Sequence, residues 1–436
     1  MRRILIGLLV ASSLLGFSQD KLLTIQDAIR GFQLYPKGLY DVQWLPGGQW
    51  FSQLTISESG QTIEVQEISV TKGRNISVSL DDINASLAED TKLKSLPRAN
   101  WISDKEFQFM SNSQGYAYHI EKKSIRLLTY KNTFNVNTPQ LFSDGTGYVA
   151  ETEKGLAFDF NGNSAEIKSD IDGIVIGKTV HRSEFGISGG LFPSPSHALL
   201  AYYEMDERMV TQYPLYKLAD TPATTNMIRY PTAGAKSHHV HVKIKDLRNV
   251  SDAITIKTTG DPEQYLTNVS WSADEKYVLI ALVNRAQNHM WLNKYDAKSG
   301  AFIKTLFEET NERYVEPEHA AIFLPNDPSK FIWWSERDGY NHLYLYDIEG
   351  KLIKQLTKGE WIVTEYVGMS SDAKKLYIVG TKDSPLERHL YAVNMKNGKM
   401  DNLTQTPGVH NITANSNCSL FIDDFSSTSV PKQIRL

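Results

Sequence analysis

The sequence predicts an all-β fold, an eight-bladed β-propeller of four-stranded antiparallel blades, and three observations carry that reading. After residue 30 the chain is dominated by short runs of alternating apolar and polar residues broken by Asp, Asn, Gly and Ser, while long amphipathic helical patterns are scarce. Its 21 Tyr, 17 Phe and 8 Trp stand beside 28 Gly, a mixture suited to many short strands joined by turns. A unit of one aromatic or apolar residue, a small turn and then a strand recurs, at Trp44, Trp101, Phe142, Phe192, Trp271, Phe323, Met369 and, in degenerate form, Ala414. Apart from one longer interval after Phe192, neighbouring markers lie roughly 41–57 residues apart, about one propeller blade each. A two-sheet sandwich also has frequent strands but rarely repeats such a unit at this period.

In chain order, Arg2 and Arg3 followed by an apolar run over residues 4–17, with Gly16 and Ser18 near its end, read as a signal peptide over 1–18. The mature protein is therefore expected to be exported, periplasmic or secreted. Residues 19–38 form a short segment with one candidate helix over 24–30, and the propeller occupies 39–436. The interval after Phe192, roughly 79 residues, is too long for one blade and predicts an inserted arm near 215–250.

Composition narrows the function. Lys and Arg number 46 against 50 Asp and Glu, a net charge of −4 that offers no basic footprint for nucleic acid. The single cysteine, Cys418, can form neither an internal disulfide nor a thiolate metal cluster. No cofactor is implied.

Three segments carry candidate chemistry. Gly186-Ile-Ser-Gly-Gly190 matches the G-x-S-x-G pattern, but a nucleophile elbow needs a strand before the serine and a helix after it. Leu191-Phe-Pro-Ser-Pro-Ser196 cannot start a helix cleanly, so Ser188 reads as a turn residue. His238, His239 and His241 resemble a metal cluster; on a strand His239 and His241 share one face while His238 points away, and spacing supplies no third ligand. They are expected on a solvated strand of the arm. Val180-His-Arg-Ser-Glu-Phe-Gly-Ile187 packs Arg182, Ser183 and Glu184 into one polar turn. A carboxylate at a propeller mouth suits a ligand ammonium; the plainer alternative is a surface ion pair between Glu184 and Arg182.

Trp334-Ser-Glu-Arg-Asp-Gly-Tyr-Asn-His-Leu-Tyr-Leu-Tyr-Asp347 resembles a signature of the N-terminal propeller of dipeptidyl-peptidase IV-type serine peptidases. Further matches are Val180-His-Arg-Ser-Glu-Phe-Gly-Ile187, Tyr203-Glu-Met-Asp-Glu207, Tyr230-Pro-Thr-Ala-Gly234, Asn284-Arg-Ala-Gln-Asn288 and Gln355-Leu-Thr-Lys-Gly-Glu-Trp361. The resemblance implies a peptidase that releases dipeptides or tripeptides from free N-termini, often after proline, with the propeller gating access. It implies that Glu184 binds the substrate α-ammonium, with Arg182 and Ser183 as neighbours; Ser183 stands where some relatives carry a second Glu. Glu204 of Tyr203-Glu-Met-Asp206 replaces a common Arg, and Phe192-Pro-Ser-Pro-Ser196 replaces a common Trp-Ser-Pro-Asp-Gly. The resemblance also implies that residues 19–38 dock on an α/β-hydrolase domain carrying the catalytic residues, which is absent from this chain, and that the arm helps form a homodimer. The chain alone is expected to be inactive. An alternative expectation is a stand-alone propeller that binds peptides or proteins without catalysis.

Overall fold

The recurring unit exists because each propeller blade must bury both of its faces against its neighbours, and the computed structural model shows how each marker residue serves that contact. It describes residues 24–30, 38–57, 60–68 and 73–436; the signal peptide expected at 1–18 and most of 19–38 lie outside them. Eight antiparallel sheets follow one another along the chain, forming an eight-bladed β-propeller. Six sheets have four strands in simple sequential order, as in blade 5, Tyr265–Trp271, Tyr277–Val283, His289–Asp296 and Phe302–Thr310. The last sheet, Val409–Ala414, Phe421–Ser426 and Gln433–Arg435, has three strands among the described residues. No helix among these residues is long and apolar enough to cross a membrane.

The markers lie in or directly after the first strand of their blades, and the tryptophans explain their use. The Trp101 indole N–H of blade 2 donates to Ser52 Oγ of blade 1 at 2.8 Å, and Trp271 of blade 5 donates to the Phe192 carbonyl of blade 4 at 2.9 Å. Each ring thus fills an interblade space and satisfies its one donor on the preceding blade. The turns that follow admit a left-handed residue: Gly48 has φ +73°, and Glu275, Ala373 and Cys418 have φ between +52° and +57°.

Seven apolar clusters fill the seams between consecutive blades from 1–2 to 7–8. The largest joins Tyr203, Val240, Val242 and Ile244 of blade 4 to Leu266, Trp271, Ile280 and Tyr295 of blade 5. The seam between blades 8 and 1 is instead polar. There Trp44 Nε1 donates to the Thr413 carbonyl at 2.9 Å, Asn415 Nδ2 to the Gly48 carbonyl at 2.8 Å and Ser416 Oγ to the Pro46 carbonyl at 3.2 Å. Asn415 is 2% exposed, so Asn415→Ala leaves a buried carbonyl unpaired and should lower stability by about 1–3 kcal/mol. Thermal denaturation of this variant against Asn411→Ala, an exposed control, measures the contribution of that seam.

Blade 4 departs from the repeat twice. Its first strand is split into Ile174–Ile176 and Leu191–Pro193, both paired with Leu199–Asp206. Tyr203 closes the neck, its carbonyl accepting from Gly177 N at 2.8 Å and its N–H donating to the Gly190 carbonyl at 3.0 Å. Residues 178–189 leave the sheet as a loop. The long interval after Phe192 is taken up by a hairpin, Gln212–Lys217 paired with Thr224–Arg229, between the second and third strands. The third strand, His239–Asp246, belongs to the blade, so the histidine-rich stretch is not part of the arm as expected: Val240 and Val242 must fill the seam to blade 5, which draws the segment into the sheet.

Candidate functional site

The loop over residues 178–189 carries Glu184, and its backbone is unusual. His181, Arg182 and Ser183 have φ of +52°, +59° and +63°, and Phe185 and Gly186 follow at +56° and +71°. Left-handed backbone costs a non-glycine residue about 1–2 kcal/mol, so the surroundings must impose it. Three apolar pegs do so: Val180 and Ile187 are buried in the blade 4–5 core, and Phe185 enters the blade 5–6 core, edge-on to Tyr265 with centroids 5.0 Å apart. The Phe185 carbonyl accepts from Thr267 Oγ1 at 2.9 Å. Within the turn, Ser183 N donates to the Val180 carbonyl, Glu184 N to the His181 carbonyl and Ile187 N to the Glu184 carbonyl, at 3.0–3.2 Å.

Glu184 itself stands exposed at the crest with ordinary extended backbone, φ −68°. Gln287, in the turn between the second and third strands of blade 5, donates from Nε2 to Glu184 Oε2 at 3.0 Å and to the Tyr265 hydroxyl at 3.1 Å. The carboxylate is therefore oriented by a neutral amide, which leaves its charge uncompensated and open to a cation. The alternative ion pair does not form: Arg182 turns away and stacks over the Tyr230 ring at 4.5 Å, and Ser183 is exposed beside it.

A pair of buried histidines locks the turn. Leu266 N–H donates to His181 Nε2 at 3.0 Å, which leaves the His181 proton on Nδ1, 3.0 Å from His238 Nε2. Burial, then the neighbouring His238 and Arg285, hold His181 well below the usual histidine range; burial, then Arg285, pushes His238 down to about 4. Both rings are neutral near pH 7. Because the folded pKa is depressed, the unfolded chain binds more protons between about 6.5 and 4, so the stabilisation is full above pH 6.5 and falls as pH falls toward 4. The His238 shift corresponds to about 3 kcal/mol. Denaturant titrations across that window should show the decline, and His238→Asn should reduce it while the buried His181 keeps its own share.

The other sequence candidates separate. Ser188 lies exposed in the loop, followed by the strand Leu191–Pro193 rather than a helix, so no nucleophile elbow forms. His239 and His241 share the outward face of their strand, and no cluster of three or more metal-ligating side chains occurs among the described residues. Sequence reasoning missed Gln287, Tyr265 and His181. The Asn284-Arg-Ala-Gln-Asn288 motif pointed to the first; nothing local pointed to a partner for His181 more than fifty residues away.

Glu184 thus stands exposed on a left-handed turn, oriented by Gln287 and without a cationic partner among the described residues. Residues 159–432 match the family model for the dipeptidyl peptidase IV N-terminal region, and the chain belongs to that family. It is similar to a structure of a Bacteroides ovatus protein assigned as a dipeptidyl aminopeptidase IV, 31% identical with a TM-score of 0.80, covering 92% of this chain and 58% of that one. Porphyromonas gingivalis dipeptidyl peptidase 4 shares the fold, with a TM-score of 0.76 at 20% identity over 95% of this chain and 60% of that one. A probable dipeptidyl-aminopeptidase B of Tuber melanosporum is 29% identical over 248 residues, 51% of this chain and 27% of that protein. The chain thus spans well under two thirds of these relatives.

Proposed function

We propose that this chain is the substrate-gating propeller of an exported dipeptidyl-peptidase IV-like serine exopeptidase, and that Glu184 anchors the α-ammonium of a peptide whose N-terminal di- or tripeptide is released. The exposed Glu184 carboxylate, held by Gln287 and without a cationic partner among the described residues, is the observation that carries this reading. The basic start and apolar run of the first 17 residues support export. Acyl transfer needs a nucleophile, a base and oxyanion donors together, and an α/β-hydrolase domain would supply them. Purified chain is accordingly expected not to hydrolyse Gly-Pro-p-nitroanilide; robust turnover would overturn the division of labour. A binding test is independent of catalysis: Ala-Pro-Ala should bind by calorimetry and its N-acetylated form should not.

The arm favours self-association as a second feature of the same reading. Tyr213, Leu215, Tyr216, Leu218 and Met227 are each between 45% and 81% exposed on the hairpin, an apolar patch suited to a second copy of the chain. Light scattering should report a dimer, and Leu215→Asp with Tyr216→Asp should return it to monomer.

A further inference from the structure

Behind the Glu184 turn lies a cavity of about 360 Å³, walled by the turn on one side and by the base of the arm on the other. Its lining includes His238, Arg182, Ser183, Glu207 and Arg229. The histidine pair decides its polarity. Since Leu266 N–H occupies His181 Nε2, His181 must donate through Nδ1, so His238 accepts at Nε2 and carries its own proton on Nδ1. That N–H has no acceptor among the described residues, although His238 is only 6% exposed. The ring lines the cavity, so the cavity is where this donor meets solvent. The Nδ1 atom is itself reachable by water there, so a ligand oxygen that binds it takes the place of a water.

The charges around it are unequal in availability. Arg229 is engaged by both oxygens of Asp172, at 2.6 and 3.1 Å, and Glu207 lies within electrostatic reach of it. Among the described residues Arg182 has only the Tyr230 ring as a partner, which leaves its N–H groups open.

We propose that this cavity is a second binding site, for a carboxylate, with His238 Nδ1–H and the Arg182 guanidinium as its donors. The carboxylate has two possible sources, a free organic acid or the acidic side chain of a peptide bound through Glu184; the second source rests on the function proposed above. Arg182 and Glu184 are two residues apart, so an N-terminal aspartate would place its ammonium and side chain against neighbouring groups of opposite charge.

Imidazole-detected NMR of the full chain with disodium succinate, together with calorimetry using Asp-Pro-Ala and Asn-Pro-Ala, tests both sources. Succinate should shift the His238 ring signals, with the shift lost in Arg182→Gln, an exposed substitution that leaves the fold intact. Asp-Pro-Ala should bind about tenfold tighter than Asn-Pro-Ala, and Arg182→Gln should erase that ratio. A succinate shift without the peptide ratio assigns the site to free acids. Absence of both the succinate shift and the peptide ratio overturns the proposal. Glu184→Ala keeps the two readings apart: it should weaken peptide binding at least tenfold and leave the succinate shift. If no peptide binds the parent chain yet succinate still shifts His238, the carboxylate site stands and the N-terminus anchor falls.

Discussion

Replacing Glu184 by alanine should weaken binding of Ala-Pro-Ala by about 10- to 150-fold, the range of one hydrogen bond between charged partners, 1.5–3 kcal/mol. The effect is large because no second carboxylate stands at the crest among the described residues: Ser183 and the Gln287 side-chain carbonyl offer only neutral acceptors. Glu184→Gln should lose nearly as much, since it retains the shape and removes the charge. Circular dichroism and melting temperature should be unchanged in both variants, because the carboxylate is exposed and its only partner is another exposed-side contact. Equal affinity of parent and variant for the peptide would show that the ammonium binds elsewhere.

Substituting alanine at Gly186 should do more damage with a smaller change in chemistry. A Cβ there would lie 2.0 Å from the Glu318 carbonyl oxygen, and the backbone sits at φ +71°. Neither conflict can be relieved cheaply, since the obstacle is main chain of the loop leading into blade 6, fixed by Asn268 Nδ2 donating to the adjacent Pro317 carbonyl at 2.5 Å. Strain of this kind costs roughly 1–3 kcal/mol before any clash is counted. The loop is expected to withdraw Phe185 from its core, lowering the melting temperature and abolishing peptide binding together. Gly189→Ala is the control, because a Cβ there meets nothing within 4 Å. A Gly186→Ala protein that binds and melts like the parent would show that the turn is less constrained than its packing indicates.

Much of this architecture was legible in the residues. The marker residues appear at blade intervals because every seam needs a bulky side chain at the same height, and Trp101 and Trp271 show that requirement directly through their bonds to the preceding blade. The overlong interval after Phe192 announced an insertion, and the hairpin lies within it. Glu184 was identifiable by its motif. Its surroundings were not: the expected partner Arg182 stacks on Tyr230, and the residue that orients the carboxylate is Gln287, from the next blade. The histidine stretch misled for the same reason, since the alternation that set His239 and His241 on one face says nothing about what lies opposite His238.

By itself the sequence determined the repeat, the number of blades and the family, because each rests on a local pattern of burial and turn formation repeated along the chain. Only the tertiary structure decided that the first strand of blade 4 breaks at Gly177 and Gly190, that His181 and His238 meet, and that the ring closes between blades 8 and 1 through polar contacts. Those features join residues tens to hundreds of positions apart, and a periodic pattern carries no information about which side chains a closed ring brings face to face.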